Sequence, residues 1–452
     1  MIARFVACIL WITMTGVALQ PVNAAAHDRA LQIAREVERL AGERSLWPGY
    51  DPLAIPLAIY DGERTFLFRH PSAPAGFTTV PDASPKALVH PGRHPAVVSN
   101  SSAEIGGTMT ATLLADGEPA SATELAAVAL HEAFHVDQRR RHPGWIGNEG
   151  DLLLYPIEDA RLLTLRRLES AALRRALATT DASAGCWIRR ALAHRRDRFA
   201  AMDSAFSRYE RLTELNEGLA MYVQLRAARD SVRIPGQEWR PAEIRRRTYA
   251  TGPALGFLLD RFAAGWKESL EAHDDQFLDE ILTASVRDTS AACALPAGEV
   301  AGIERRARAD ANAVVAERTA RREAFDARGG WRVEVRAAET RPLWPQGFDP
   351  LNLERVAGGL LHTRMLQLQN DAGSVRMLDE AGVDLEALTE GAGPHPLFNG
   401  VRMLEIAGLR RPKVARDAGK VSLRAAGLIA DFDAATVHED AGAQRIEIQL
   451  TR

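Results

Sequence analysis

The amino-acid sequence predicts an α+β protein with a small N-terminal β-sheet, a mainly helical middle part and an all-β C-terminal part. Alternating apolar residues and turn signals occur between about residues 50 and 115, helical apolar spacing dominates from 122 to 328, and alternation returns after Gly329-Gly330. A chain of 452 residues, 46% hydrophobic and 25% charged, is long enough for two or three folded domains. Its net charge of −3 gives no basis for expecting nucleic-acid binding.

Residues 1–24 have the pattern of a secretory signal peptide. Arg4 supplies the positive start, Phe5–Leu19 is the apolar core, and Val22–Ala24 offers small residues for cleavage near Ala24. The apolar run is too short and too interrupted for a stable membrane span, and an uncleaved anchor is the alternative. The pattern therefore predicts a secreted or periplasmic protein.

The predicted sheet follows an amphipathic helix over about residues 26–41. Two strands, Leu53–Tyr60 and Thr65–Arg69, flank an Asp61-Gly62 turn signal, and two more are expected at Ala96–Ser99 and Gly107–Leu114. A sheet in this position would give the helix after it a rigid support.

The helix predicted over residues 122–141 carries the most specific motif in the chain. Ser121 and Glu124 form an S-x-x-E capping box at its start. His131 and His135 are four residues apart, so both imidazoles project from one face and suit two ligand positions on a tetrahedral Zn²⁺. Glu132 beside them is a candidate general base. Two ordinary histidines on a helix are the alternative, and the spacing favours zinc.

Helical spacing continues beyond this motif before the chain returns to strands. The expected elements are a helical hairpin over 151–208 with its second helix from Cys186 to Arg208, a third helix over 210–228, helices over 241–273 and 276–285, and a connecting helix over 296–328. We expect a catalytic domain over 25–295 and a sandwich-like accessory domain over 329–452, which serves structure or substrate docking. Cys186 and Cys293 could form one disulfide or remain two buried thiols.

A catalytic zinc site needs a third protein ligand, and spacing alone does not select it. The candidates are Glu158, Asp159, Glu214, Glu217, His142 and His194. Glu158 follows His135 closely enough for a short helix–turn–helix. Glu217 lies 82 positions after His135 (217 − 135) and requires the hairpin to loop out between the two ligand helices.

The segments His131-Glu-Ala-Phe-His135 and Asn216-Glu217-Gly218-Leu219-Ala220 together resemble the gluzincin metallopeptidases. The resemblance covers about residues 50–270 and implies a zincin-like catalytic domain with Glu217 as third zinc ligand. Glu214, one turn earlier on roughly the same side, becomes a candidate for orienting a ligand histidine, and a solvent-facing acid is the alternative. The stretch from Arg247 to Asp260 resembles the aminopeptidase N-like segment whose tyrosine binds the oxyanion, which implies that role for Tyr249.

Two departures from that family limit the resemblance. The insert between the histidines and Glu217 is much longer than in thermolysin or aminopeptidase N. No acid follows Met109, where aminopeptidases carry the glutamate that binds the substrate amine, so aminopeptidase activity is disfavoured.

The resemblance and the motif together predict zinc-dependent peptide-bond hydrolysis, with one Zn²⁺ per chain held by His131, His135 and Glu217. Glu132 would act as general base and Tyr249 would stabilise the oxyanion. An endopeptidase is the expected activity, with a peptide or protein substrate held by strand addition on an edge strand near Gly107–Thr112. The alternatives are a zinc amidase or exopeptidase of restricted specificity, and a non-catalytic gluzincin-like scaffold that binds cell-envelope partners.

Overall fold

A computed structural model describes residues 24–117, 120–180, 183–236, 239–286, 292–393 and 395–451, with backbone alone for residues 24–28. The described chain divides into two compact units. One contains the described residues up to Trp145 together with Leu219–Val232 and Gly265–Asp275, and the other contains Ile146–Gly218, Arg233–Ala264 and Gln276 onward. The predicted signal peptide lies outside the described residues apart from its last residue, and the predicted domain boundaries at residues 295 and 329 stay predictions.

The helices of the described residues confirm that the middle of the chain is mainly helical. They are α1 (Ala24–Glu43), α2 (Ala122–Arg141), α3 (Ala160–Ala178), α4 (Ser183–Phe199), α5 (Ser204–Thr213), α6 (Leu219–Ala228), α7 (Ile244–Phe262), α8 (Trp266–Ala272), α9 (Leu278–Ser285) and α10 (Ala297–Asp326). A π-helical segment, Glu214–Gly218, joins α5 to α6 without a break.

The strands fall into an N-terminal set and a C-terminal set, so the chain is a mixed helix-and-sheet protein. The N-terminal strands are β1 (Leu57–Tyr60), β2 (Arg64–Phe68), β3 (Thr78–Thr79), β4 (Ala87–Pro91), β5 (Ser101–Ile105) and β6 (Thr108–Leu114). The C-terminal strands are β7 (Trp331–Arg336), β8 (Trp344–Phe348), β9 (Leu353–Val356), β10 (Gly359–His362), β11 (Leu366–Asn370), β12 (Gly373–Met377), β13 (Glu386–Gly391), β14 (Val401–Leu409), β15 (Lys413–Asp417), β16 (Lys420–Ala425), β17 (Leu428–Phe432), β18 (Ala435–Asp440) and β19 (Arg445–Leu450).

The N-terminal sheet has the strand order β3-β4-β2-β1-β6-β5. The predicted turn between β1 and β2 is confirmed: the Asp61 side chain accepts hydrogen bonds from the backbone N–H groups of Glu63 and Arg64, and Gly62 has a φ of +104°. Strand β6 lies between β1 and β5, so the expectation that β6 is an edge strand is wrong. The edge strand on this side of the sheet is β5, which pairs antiparallel with β6 in a hairpin.

The strand predicted at Ala96–Ser99 is also wrong. This stretch is a turn and coil between β4 and β5. Val97 is fully buried, which explains the apolar pattern, but the Arg93 guanidinium donates to the carbonyl oxygens of Val97 and Val98. A side chain therefore satisfies backbone groups that a neighbouring strand would otherwise bind.

Helix α2 has the bounds that its capping box and periodicity predict. The Ser121 side chain accepts from the Glu124 N–H, and the Glu124 carboxylate accepts from the Ser121 N–H. The helix packs against α1, α6 and β6 within its own unit. In the middle of the helix, the Phe134 ring packs edge-on against the rings of Trp47 and Tyr50. Aromatic packing thus holds the helix in place between the two histidines.

Helices α3 and α4 form the predicted hairpin, but the second helix is shorter than expected. It ends at Phe199 rather than Arg208, because Asp203 starts a new helix by accepting a hydrogen bond from the Ala205 N–H. A disulfide joins Cys186 in α4 to Cys293, 107 residues later. The two cysteines that the sequence left as either a pair or two thiols are therefore bonded.

The C-terminal strands form two sheets on one apolar core. Their orders are β18-β19-β7-β14-β13-β10-β9 and β15-β16-β17-β12-β11-β8. Buried side chains from both sheets share this core, for example Val333 and Ile406 from the first and Leu368 and Leu423 from the second. Such packing is the predicted sandwich-like arrangement. In the described part of the chain, no helix has both the length and the apolar character needed to cross a membrane.

Candidate metal site

The two histidines of α2 present their ring nitrogens to one another. His131 Nε2 and His135 Nε2 are 3.1 Å apart, and both side chains are buried. Two nitrogens that each lie about 2.1 Å from a tetrahedral ion are about 3.4 Å apart. The spacing of the pair therefore suits two ligands of one metal ion.

Gln138 holds one of these rings in the orientation that metal binding needs. Its Oε1 lies 2.9 Å from His135 Nδ1, on the ring nitrogen away from His131. An amide oxygen only accepts, so Nδ1 carries the proton and the Nε2 lone pair is left for a metal. Gln138 is three residues after His135 on the same helix, and it was not foreseen from the sequence, although the spacing could have indicated it.

Glu217 completes the one group among the described residues that could hold a metal ion. Single ligand atoms of His131, His135 and Glu217 all lie within 4.8 Å of one another, and all three side chains are buried. Two nitrogens and one carboxylate oxygen are a donor set that suits zinc with a fourth position open. The three residues selected from sequence as ligands are therefore together in the structure.

The position of Glu217 follows from the helix that continues from it. The π-helical segment Glu214–Gly218 leads directly into α6, and α6 packs on α2. Short π-helical turns inside helices are rare and often occur at functional positions. The segment also contacts α7 closely, since a Cβ on Gly252 would lie 2.5 Å from Gly218 Cα. Two glycines thus allow a backbone approach that larger residues would prevent.

Two α7 residues bind the Glu217 carboxylate. Arg245 Nη2 lies 2.7 Å from Glu217 Oε1, and its Nη1 lies 2.6 Å from Glu149. Tyr249 donates its hydroxyl hydrogen to Glu217, and burial together with this bond raises the pKa of Tyr249 to about 12. Tyr249 therefore keeps its proton at neutral pH and can donate it to an anionic oxygen. Arg245 is a residue that the sequence interpretation missed.

A cavity of about 600 Å³ opens beside these α7 residues. It is lined by Ala242, Glu243, Arg245, Arg246 and Tyr249. A small molecule or a peptide side chain would fit a space of this size.

Glu132 is the other catalytic candidate, and it is 8% exposed on α2. Residues three apart on an α-helix lie about 60° apart around its axis, so Glu132 is on the side of the helix that carries His135. A buried carboxylate in this position is suitable for proton transfer beside a metal.

Among the described residues, none of the rival candidates forms a group with His131 and His135 that could hold a metal ion. Glu158 forms ion pairs with Arg318 at 2.9 Å and Arg355 at 3.1 Å. Asp159 caps α3, and Glu214, which is 1% exposed rather than solvent-facing, binds Arg195 and Thr251. His142 lies between Glu271 and Asp274, and His194 belongs to α4. The partners that the Glu214 carboxylate binds are thus Arg195 of α4 and Thr251 of α7 rather than a ligand histidine.

Comparison with protein-family models, curated proteins and solved structures found no match to this chain. The functional interpretation therefore depends on the geometry of its own residues.

Proposed function

We propose that the chain is a zinc-dependent peptidase with a zincin-like fold around α2, and that it cleaves internal peptide bonds outside the cytoplasm. The observation that carries the proposal is the convergence of His131, His135 and Glu217 on one buried point. The disulfide between Cys186 and Cys293 supports an oxidising compartment, where such bonds form and persist.

Zinc fits the donor set better than calcium or magnesium does. Calcium and magnesium prefer six or more oxygen ligands, whereas two imidazoles and a carboxylate are a frequent catalytic zinc set. When bound, zinc supplies Lewis-acid activation of a water molecule and of the scissile carbonyl group. His135 is oriented for this by Gln138, and Glu217 by Arg245 and Tyr249.

Glu132 and Tyr249 supply the proton transfer and the charge stabilisation. Glu132 takes a proton from the attacking water and delivers it to the amine that leaves, so the same carboxylate is first a base and then an acid. When the carbonyl is attacked, Tyr249 turns its single hydroxyl hydrogen from Glu217 to the oxygen that becomes negative, and Arg245 stays on Glu217. Its raised pKa keeps that hydrogen available across the neutral range.

An extended peptide would pair with β5, the edge strand beside α2 in the same unit. Strand register places Glu104 of β5 opposite Met109 of β6, so an acid does lie across from the position where aminopeptidases carry theirs. This observation supports the second candidate, an exopeptidase that binds a free amine. A peptide library with free termini and the same library with blocked termini separate the two activities.

The deciding experiment is the metal content of the purified protein by mass spectrometry, for wild type, Glu217→Gln and Glu158→Gln. We expect about one zinc per chain in wild type and in Glu158→Gln, and loss of zinc in Glu217→Gln, because an amide oxygen is a poor replacement for a carboxylate ligand. Retention of zinc in Glu217→Gln would exclude Glu217 as a ligand. A wild-type protein that binds no zinc when it is supplied would support the non-catalytic scaffold instead.

A further inference from the structure

Six charged side chains lie completely buried next to the π-helical segment that carries Glu217. We call them the closed cluster: Glu169, Glu210, Glu214, Arg195, Arg198 and Arg247. Each is at most 1% exposed, and the three positive charges balance the three negative ones. Removing charges from water is costly, and apolar residues of similar volume often give equal or greater stability. Such a cluster is therefore a candidate for a role other than stability.

The Arg195–Glu214 pair is bidentate, as is the Arg198–Glu210 pair of the closed cluster. Arg195 Nη1 and Nη2 donate to the two Glu214 oxygens at 2.7 and 2.6 Å, while its Nε donates to Glu169 at 2.9 Å. The Thr251 hydroxyl of α7 also donates to Glu214, at 2.6 Å. A bidentate hydrogen bond with an additional donor fixes both the position and the rotation of a carboxylate.

Glu214 begins the π-helical segment, and Glu217 lies in the same turn. Side chains three residues apart in an α-helix are separated by about 60° around the axis. In a π-helix, with about 4.4 residues per turn, the separation is about 115°. The wider angle lets Glu214 bind Arg195 while Glu217 binds Arg245 and Tyr249 on another side.

We propose that Arg195 and Glu214 are positioning residues for the metal site. Their buried ion pair fixes the rotation of the π-helical segment, and so directs the Glu217 carboxylate toward His131 and His135. An apolar contact in the same place would fix this rotation less well, because packing lacks the directionality of a bidentate hydrogen bond. This inference rests on the proposed metal function.

Two matched double variants test the proposal: Arg195→Met with Glu214→Gln, and Arg198→Met with Glu210→Gln. Each removes one positive and one negative charge from the closed cluster and leaves two of each sign. Glu210 lies one turn before Glu214 and is equally buried, so the second variant is a control for general loss of stability. Zinc affinity is measured by competition with a chromogenic chelator, the Co²⁺ absorption spectrum reports ligand geometry, and circular dichroism gives the thermal midpoint.

We expect both variants to lower the thermal midpoint by similar amounts. Only Arg195→Met/Glu214→Gln should weaken zinc binding at least tenfold and change the Co²⁺ spectrum. Equal weakening in both variants, or wild-type affinity in the first, would overturn the positioning role while leaving the metal site intact. A wild-type protein without zinc affinity would instead remove the proposed function and this inference together.

A milder variant keeps the test decisive if the first double variant does not fold. Thr251→Val preserves side-chain shape and removes only the hydrogen bond to Glu214. We expect a smaller loss of zinc affinity, about threefold. An unchanged affinity in a folded Thr251→Val protein would contradict the proposal.

Discussion

Two groups of charged residues lie on either side of the π-helical segment, and they differ in their access to water. The open cluster consists of Glu149, Glu217, Arg245 and Tyr249, in which Arg245 is 44% and Glu149 53% exposed. The closed cluster is at most 1% exposed at every member. Both contain arginine–glutamate pairs with similar distances, so their different environments determine what each can do.

Ion pairs that face water can exchange partners at little cost, whereas buried ones cannot. In the open cluster, the exposed Arg245 can therefore exchange its bond to the buried Glu217 carboxylate for water, which would free that carboxylate for a metal ion. In the closed cluster, the loss of one partner leaves a buried charge that neither water nor another ion compensates. Chemistry is thus expected in the open cluster, and the proposed role of the closed cluster is to position Glu217.

The largest expected effect concerns catalysis beside the open cluster. Glu132→Gln should lower peptide turnover by about 100- to 10,000-fold, since general acid–base catalysis contributes that much. Zinc content should remain at the wild-type level, because Glu132 is not a ligand. The measurement is steady-state hydrolysis of an internally quenched peptide, together with metal analysis. Turnover at the wild-type rate would show that Glu132 is not the base.

The next prediction compares how much one glutamate from each cluster contributes to the free energy of unfolding. Glu169→Ala should lower the free energy of unfolding by about 3–5 kcal/mol, because it removes the acid shared by Arg195, Arg198 and Arg247. Glu149→Ala in the open cluster should change it by less than about 1 kcal/mol. Urea unfolding followed by circular dichroism measures both. Similar losses in the two variants would refute the distinction between the clusters.

The disulfide should have an effect of comparable or smaller size. It closes a loop of 107 residues that includes every cluster member except Glu149 and Glu169. Cross-links of this kind stabilise folded proteins by about 2–4 kcal/mol, mainly by restricting the unfolded chain. We expect dithiothreitol to lower the thermal midpoint of wild type but not that of a Cys186→Ser/Cys293→Ser variant. A midpoint insensitive to reductant in both would contradict this prediction.

The smallest effect tests the backbone contact beside the π-helical segment. Gly252→Ala places a methyl group 2.5 Å from Gly218 Cα and should cost about 1–3 kcal/mol. Gly298→Ala in α10 is the matched control, since apart from its chain neighbours and the backbone of its own helix no described heavy atom lies within 4 Å of the point that its methyl group would occupy. This variant should be neutral or slightly stabilising. Thermal unfolding of both variants checks the prediction. A neutral Gly252→Ala would mean that the two segments can separate.

Local signals predicted a large part of the fold. The capping box set the start of α2, the histidine spacing gave the shared ring face, and Asp61-Gly62 marked the turn before β2. These features depend on interactions within a few residues, so they can be recognised without tertiary contacts. The candidate ligand Glu217 was selected by a motif resemblance and not by spacing.

Features that depend on distant partners could not be predicted in the same way. The apolar pattern of Ala96–Ser99 arises from burial of Val97, and the backbone is satisfied by Arg93 rather than by a strand. The outer position of β5 is decided by pairing within the whole sheet. The direction of Glu214 requires knowledge of the π-helical turn and of Arg195, which belongs to another helix.

The order in which the chain passes between the two units has a consequence for biosynthesis. Helix α2 leaves the ribosome with α1 and the N-terminal strands, but its partner α6 begins only at Leu219, and the segment Gly265–Asp275 follows later still. Until then the side of α2 that packs against α6 has no cover, because a nascent chain folds only with what has already emerged. A chain that stalls or is truncated before about residue 275 should therefore need chaperone protection.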